Sequence, residues 1–206
     1  MESPKTRLVL GISGASGAIY GLRLLEVLTA LGVETHVIVS ENGWRTLREE
    51  TGAGPEQISA LAARMYDPRD VGAAPASGSF LCAGMVVAPC SIKTLSGIAH
   101  SYNDNLLVRA ADVTLKEGRK LVLVVRETPL HRGHLRLMLA AAEAGAVILP
   151  PVPAFYHRPQ SMLDLVDHTV GKVLDQFGLP HRLFRRWEGS RPAENGCEIL
   201  PRGEEA

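Results

Sequence analysis

The sequence predicts a single α/β domain built on a parallel β-sheet that carries helices on both faces. Short apolar runs bounded by turn residues alternate along the chain with longer stretches of helical periodicity. Alternation of this kind indicates a parallel sheet, because each helix returns the chain to the start of the next strand. The length of 206 residues suits one domain with one hydrophobic core.

Five strands are predicted, with helices between them. The strands are Arg7–Ile12, Val33–Val39, Gly84–Ala88, Leu121–Val125 and Ala146–Leu149. The helices are 22–31, 46–50, 91–100, 104–117, 131–144 and 161–177. The first helix shows leucines at helical spacing and stops before Gly32, which is a suitable C-cap. The helix that begins at Ser91 has that serine as its N-cap.

The segments without regular periodicity are predicted to be loops. A looser stretch containing Gly and Pro follows the second helix, and residues 72–79 form a small-residue loop that either moves or covers a site. We expect one domain over residues 1–206, with a core of about residues 7–180. Residues 181–206 are polar and contain Pro and Gly, so we expect a C-terminal extension that lies over the surface or on a neighbouring chain.

Composition narrows the classes of function. Lys and Arg total 22, as do Asp and Glu, and a balanced charge disfavours a nucleic-acid coat or a polybasic membrane binder. The three cysteines, Cys82, Cys90 and Cys197, are too scattered for a disulfide framework or a zinc pair, and we expect reduced thiols in the cytoplasm. No apolar run approaches the roughly 20 residues that a membrane span needs.

A ligand site is expected beyond the carboxyl ends of the strands, where parallel sheets bind ligands. Each loop at those ends carries a small hydroxyl, a cation or an aromatic residue. The loops are Ser13–Gly17, Ser40–Glu41, Pro89–Thr94, Arg126–Pro129 and Pro150–Tyr156. Their convergence is the strongest argument from the sequence for a site.

Two of these loops have the chemistry of anion-binding turns. The turn at 11–17 is not GxGxxG, because Ser13 replaces the second glycine, and it has no P-loop lysine, so a dinucleotide is disfavoured. Backbone N–H groups and the Ser16 hydroxyl at a helix start suit an anion, although a tight turn with a serine cap explains them equally well. Residues 91–94 repeat this pattern, and a single phosphate or a plain capping loop both fit.

Cations are also placed near this edge. Arg109 and Lys116 lie seven residues apart on a predicted helix, so they share one face, about 20° apart around the axis. Arg126 and Glu127 follow a buried strand directly, either as site residues or as a structural ion pair. The cations favour a phosphorylated small molecule as the ligand.

Two motifs resemble metal sites but lack the ligands to complete one. Asp164-Leu-Val-Asp167 has no second acidic motif, and His131-x-x-His134 has no third ligand at a fixed spacing. Acids on a helix surface and a histidine in a first helical turn are the favoured interpretations. We predict no metal site.

Many short motifs, in order from Arg7 to Trp187, resemble one family. They are Gly14-Ala-Ser-Gly17 with Tyr20-Gly21, Pro89-Cys-Ser, Asn105-Leu, Arg109-Ala-Ala-Asp-Val, Leu115-Lys-Glu, Leu121-Val-Leu, Arg126-Glu, Pro153-Ala-Phe-Tyr156 and Asp164-Leu-Val-Asp167. Together they resemble the UbiX-type flavin prenyltransferases.

The resemblance implies a flavodoxin-like doubly wound fold and a homo-oligomer, usually a dodecamer with sites at subunit contacts. It implies transfer of a dimethylallyl group from dimethylallyl phosphate to N5 and C6 of reduced FMN. The prenylated FMN would serve a UbiD-type decarboxylase.

The resemblance also assigns residues by position. The expected FMN-binding residues are Gly14, Ala15, Ser16, Ser40, Ser91, Ile92, Lys93, Thr94, Arg109 and Arg126. The expected prenyl phosphate ligands are Lys116, Arg126, Tyr156 and Lys172, and the expected catalytic residues are Ser16, Glu50, Lys116 and Glu127, with Glu50 favoured for proton transfer. Lys172 stands where many members have Arg, and Val71 stands where many have an aromatic residue, often Trp.

Two other functions stay open. An FMN-dependent decarboxylase of cysteinyl compounds would have a mid-chain His and a Pro-Ala-Ser-Ala-Asn-Thr signature. This chain has no His between His36 and His100, and it reads Pro-Cys-Ser-Ile-Lys-Thr at 89–94. A non-catalytic flavodoxin-like FMN carrier would be acidic with aromatic residues beside the flavin, whereas this chain is neutral and has 5% aromatic residues.

Overall fold

The computed structural model describes residues 6–187 and residue 189, and these form a parallel six-stranded sheet with helices on both faces. The strands are β1 Arg7–Ile12, β2 Glu34–Val39, β3 Arg64–Tyr66, β4 Gly84–Cys90, β5 Lys120–Val125 and β6 Val147–Ile148. The helices are α1 Ala18–Ala30, α2 Glu41–Thr51, α3 Pro55–Leu61, α4 Ile92–Ala99, α5 Leu106–Lys116, α6 Arg132–Glu143 and α7 Met162–Gln176, with one 3₁₀ turn at Ala74–Ala76.

The order across the sheet is β3-β2-β1-β4-β5-β6, and every pair is parallel. The predicted α/β doubly wound sheet is therefore confirmed. Without the short edge strand β3, the five strands that the sequence predicts run in the flavodoxin-like order 2-1-3-4-5. Successive strands are added on one side of β1 as far as β3 and on its other side from β4 onward, so the strand order reverses between β1 and β4. The crevice between the ends of these two strands is the expected ligand position.

Alternate residues of β1 supply two separate cores. Leu8, Leu10 and Ile12 pack with α1 and α7 on one face of the sheet, while Val9 packs with α4 and α5 on the other. Both faces of the sheet are buried from solvent, which is why its strands are almost uniformly apolar. The rigid sheet fixes the positions of the loops at its carboxyl edge.

The differences from the predicted elements are local. Ser40 caps α2, so that helix starts at Glu41 and not at residue 46. The stretch expected to be a loop contains α3, which starts at Pro55, and the three-residue strand β3, both too short to produce a clear pattern. Of the predicted C-terminal extension, residues 188 and 190–206, including Cys197, lie outside the described residues. No helix of the described part is both long and apolar enough to cross a membrane.

Candidate active site

A cleft of about 1190 Å³ opens at the carboxyl edge of the sheet, at the reversal of strand order. We call it the switch-point cleft. Its lining includes Gly14 after β1, Ser40–Asn42 after β2, Arg69 after β3, Ser91–Thr94 after β4 and His131 after β5. A cleft of this size holds a ligand with a ring system as well as a phosphate. The predicted position of the site therefore coincides with the large cleft.

The buried Ser13 joins the two loops on either side of the reversal. Its hydroxyl donates to the Pro89 carbonyl at 2.8 Å and accepts from the Ser91 amide at 2.8 Å. Only 1% of Ser13 is exposed, so these bonds are not exchanged with water. The residue that breaks the dinucleotide glycine pattern thus holds the ends of β1 and β4 in register.

Two capped helix N-termini face the cleft. The Ser40 hydroxyl accepts from the Gly43 amide at the start of α2, and the Ser91 hydroxyl accepts from the Thr94 amide at the start of α4. Helix N-termini carry partial positive charge, which favours a bound anion. Gly14 is required at the rim, because a Cβ there would lie 2.4 Å from the Cβ of Asn42.

Glu50 holds a third helix N-terminus. Its carboxylate accepts from the amides of Gly17 and Ala18, each at 2.8 Å, where α1 begins. Burial alone would raise the pKa of the Glu50 carboxyl. The Ser16 hydroxyl, the two amides and the positive charge of Arg126 outweigh burial and lower that pKa below its ordinary value. Glu50 is therefore a fixed carboxylate that is ionised at neutral pH.

Arg126 and Glu127 emerge at the end of β5, as the sequence predicts. The Arg126 amide donates to the Cys90 carbonyl at 3.1 Å, which ties it to the end of β4. Its exposed side chain places positive charge near Glu50 and near Tyr20, whose pKa is raised by burial and lowered in part by Arg126. Glu127 accepts only from the amide of Thr128 among the hydrogen bonds of the described residues. The two residues thus do not form a structural ion pair with each other.

The predicted cations of α5 lie apart from the cleft. Arg109 donates to the Ala76 carbonyl at 3.3 Å and pairs with Asp112 at 3.0 Å. Lys116 lies at the far end of α5, pairs with Glu117 and borders Gly78. Both cations share the helix face that the sequence predicts, but within one chain that face meets the small-residue loop. The described chain therefore does not bring them to Glu50.

Tyr156 and Lys172 belong to a second group, which we call the α7 cluster: Tyr156, His157, His168, Lys172 and Asp175. The Tyr156 hydroxyl lies 3.0 Å from His168 Nε2, and the His157 ring stacks on His168 with centroids 5.1 Å apart. Lys172, one helical turn beyond His168, lies 3.6 Å from Asp175. This cluster does not line the switch-point cleft.

Asp175 is held mainly by residues other than Lys172. It contacts Arg186 at 2.6 Å and His181 at 3.1 Å. The Arg186 guanidinium is the main cause that lowers the pKa of Asp175 to about 2, burial opposes that change, and His181 adds to it. The longer contact leaves the Lys172 ammonium the least restrained of these cations, and its side chain is about half exposed.

The two motifs that resemble metal sites have structural roles. Asp164 forms a capping box with Ser161 at the start of α7, and Asp167 binds the Arg23 guanidinium of α1 with contacts of 2.7 and 3.1 Å. His131 Nδ1 accepts from the Gly133 amide to cap α6. No group of three potential metal ligands occurs among residues 6–187 and 189.

Sequence reasoning did not identify every residue of the cleft. Asn42, Arg69 and His134 line it, and none was predicted as a ligand residue. Asn42 lies two residues beyond Ser40, so its position follows only once the start of α2 is known. Arg69 follows the unpredicted strand β3, and His134 was considered only as a metal ligand.

The comparisons with known proteins agree with this geometry. The chain matches the Flavoprotein family over residues 1–174. It is 62% identical over 187 residues to the flavin prenyltransferase UbiX of Escherichia coli, covering 89% of this chain and 99% of that protein. A crystal structure of AnUbiX in complex with FMN and dimethylallyl pyrophosphate is 47% identical, with a TM-score of 0.89, covering 91% of this chain and 100% of that one.

A second solved structure is a dodecameric FMN-dependent UbiX-like decarboxylase from Escherichia coli. It is 49% identical, with a TM-score of 0.87, and covers 89% of this chain and 100% of that one. High identity over nearly the whole length of these proteins, together with a cleft at the reversal of strand order, leads to one conclusion. The chain belongs to the Flavoprotein family and, within it, to the UbiX flavin prenyltransferases.

Proposed function

We propose that this protein joins a dimethylallyl group from dimethylallyl phosphate to N5 and C6 of reduced FMN. The prenylated FMN would then serve a UbiD-type decarboxylase. The observation that carries the proposal is the fixed, ionised Glu50 at the start of α1, the helix that follows the Gly14 loop of the cleft, in a chain 62% identical to a flavin prenyltransferase. The cytoplasmic location that the sequence predicts stays a prediction.

The residues of the switch-point cleft fit FMN. The capped N-termini of α2 and α4 offer partial positive charge to its phosphate, beginning at Ser40 and Ser91. Gly14 lines the cleft, and its missing side chain lets Asn42 at the start of α2 pack closely against the loop that follows β1. We assign FMN contacts to 14–16, Ser40, 91–94 and Arg126. Reduced FMN supplies electron-rich N5 and C6 atoms for bond formation.

Cleavage of the allylic C–O bond leaves negative charge on the phosphate, which fixed cations stabilise in the transition state. We assign this task to Lys116, Arg126 and Lys172, with the Tyr156 hydroxyl as a further donor and Arg109 beside them. We infer that more than one chain contributes to this group, since neither Lys116 nor the α7 cluster lines the cleft of its own protomer. The dodecamer formed by a structural relative supports a homo-oligomer that completes each site.

Ring closure releases a proton from flavin C6, and that proton needs an acceptor. Glu50 is suited to this step, because it is ionised and held by two amides that do not move with the substrate. The Ser16 hydroxyl, which bonds to that carboxylate, orients it or relays the proton. Glu127, at the end of β5, is the other carboxylate that the family resemblance assigns to catalysis, and the departing phosphate is another acceptor.

Mass spectrometry of the flavin tests the proposed function. The protein is incubated without oxygen and without added magnesium, with reduced FMN and dimethylallyl phosphate, and the flavin is then released. We expect one five-carbon unit per flavin. Unchanged flavin mass, with FMN shown to be bound, contradicts prenyl transfer. A carrier would then leave cysteinyl peptides intact, while a decarboxylase would release carbon dioxide from them.

A further inference from the structure

His168 contacts Tyr156, the residue proposed to bind the prenyl phosphate. Its Nε2 lies 3.0 Å from the Tyr156 hydroxyl, although twelve residues separate the two along the chain. Only 9% of His168 is exposed. The ring is held between His157, which is nearly coplanar at an interplanar angle of 6°, and Phe184, with centroids 4.7 Å apart. The imidazole is therefore fixed in place before any ligand arrives.

We propose that His168 is a positioning residue that holds Tyr156 for the prenyl phosphate. The His168 Nε2–H donates to the Tyr156 oxygen, and the tyrosine hydroxyl hydrogen then points outward to the phosphate. This inference rests on the proposed function, which assigns the phosphate contact to Tyr156. No sequence motif indicated His168, because histidine on a helix has no distinctive spacing.

The direction of the hydrogen bond follows from the chemistry of the ligand. A phosphate dianion only accepts hydrogen bonds, so a tyrosine that binds it must donate its single hydrogen outward. The bond between Tyr156 and His168 then needs its hydrogen from the imidazole, and the Nε2–H form of His168 is required. A donor behind the tyrosine oxygen polarises the O–H and strengthens its bond to the anion.

The surroundings favour a neutral imidazole at His168. Burial lowers the pKa of His168, the neighbouring His157 and Lys172 lower it further, and Asp175 opposes them. A neutral ring has one N–H and one lone pair, and the hydrogen bond that phosphate binding requires places that single hydrogen on Nε2, directed at Tyr156. Lys172 lies four residues along α7 on the same helix face, which places its ammonium beside the same ligand.

A double-mutant cycle tests the proposal in the full-length protein with reduced FMN and dimethylallyl phosphate. We expect His168→Phe to raise the KM for dimethylallyl phosphate about three- to tenfold, the range for one lost hydrogen bond. FMN affinity should stay unchanged. His168→Gln should recover most of the loss, because its amide N–H reaches a similar position. Thr169→Val is the matched control and should leave the KM unchanged, since Thr169 is a buried residue of the same helix whose hydroxyl donates to the Leu165 carbonyl and not to Tyr156.

The cycle separates this inference from the proposed function. We expect Tyr156→Phe to raise the KM as well, and His168→Phe to add nothing in that background. A full additional loss in the double variant would overturn the positioning role while leaving the Tyr156 assignment intact. An unchanged KM for Tyr156→Phe would overturn both, and absence of prenylated flavin from the wild-type protein would overturn the proposed function itself.

A second measurement needs no variant. Neutron diffraction from crystals of the wild-type protein at neutral pH locates hydrogen on the imidazole directly. We expect hydrogen on His168 Nε2, directed at Tyr156. Hydrogen on Nδ1 alone, with the tyrosine donating to Nε2, would contradict the proposal even if His168→Phe fails to fold.

Discussion

The switch-point cleft and the α7 cluster differ in what holds their functional groups in place. In the cleft, hydroxyl caps and backbone amides fix the anion-binding positions, and the central serine, Ser13, is buried. In the α7 cluster, the groups with the proposed phosphate role are side chains on an outer surface, since Tyr156 and Lys172 are both about half exposed. The anion-binding positions of the cleft are fixed within one chain, whereas the α7 cluster presents its groups outward.

This difference suits the binding of two chemically different substrates by separate regions of one chain. A flavin needs a shaped cleft, which a sheet edge with short loops forms on folding. An allylic phosphate needs several cations, and cations placed together inside one protomer would repel each other before the ligand arrives. If the cations lie on separate surfaces that meet only on assembly, as proposed above, that repulsion is absent from the monomer. Substitutions in each region distinguish separate roles from a shared one.

The largest effect is expected at Glu50. Glu50→Gln removes the proposed proton acceptor but keeps an oxygen for the amides at the start of α1. We expect the rate of prenyl transfer in a single turnover to fall roughly 10²- to 10⁴-fold, with little change in FMN affinity. Glu49→Gln is the matched control, because Glu49 is an exposed neighbour whose one ion pair within the described part of the chain is with the exposed Arg45. Equal losses in both variants would contradict the role of Glu50.

A smaller and more selective loss is expected at Lys172. Lys172→Ala removes one charged donor to phosphate, so kcat/KM for dimethylallyl phosphate should fall on the order of 10- to 100-fold. FMN binding, measured by flavin fluorescence, should be unchanged because Lys172 lies outside the cleft. Lys172→Arg restores a cation with two parallel donors and should retain activity. Equal losses of FMN affinity and prenyl phosphate use in Lys172→Ala would remove the distinction between the regions.

The sequence predicts the cleft better than the α7 cluster. Strands such as Leu121–Val125 are unbroken apolar runs, and serine caps such as Ser91 lie at fixed offsets from the helices they start, so local pattern identifies both. The contact between Tyr156 and His168 joins a loop to a helix through tertiary packing, and no spacing rule reveals it. The short strand β3 was missed because three residues are too few to show alternation.

The pH dependence of the free energy of unfolding tests the ion pairs that Asp175 makes in the α7 cluster. The pKa of Asp175 is lowered to about 2, so its stabilising effect is complete above the unfolded pKa, near 4, and is lost as pH falls toward 2. Asp175→Asn should lower the free energy of unfolding by about 2 kcal/mol at pH 7. Urea unfolding at pH 7 and pH 3, at one protein concentration, measures the difference between variant and wild type. A difference of the same size at both pH values would show that ionisation of Asp175 is not its cause.

The smallest effects are expected for two serine caps, one at the cleft and one at the start of α7. Ser91 caps α4 inside the cleft, and Ser161 caps α7 away from it. Replacing either by Ala removes one side-chain bond to a helix amide and should cost about 1 kcal/mol of unfolding free energy. Only Ser91→Ala should also weaken FMN binding, because its hydroxyl and the first turn of α4 line the cleft. If Ser161→Ala weakened FMN binding as much at equal loss of stability, the effect at Ser91 would reflect global destabilisation, and α4 would lose its role as an anion-binding helix.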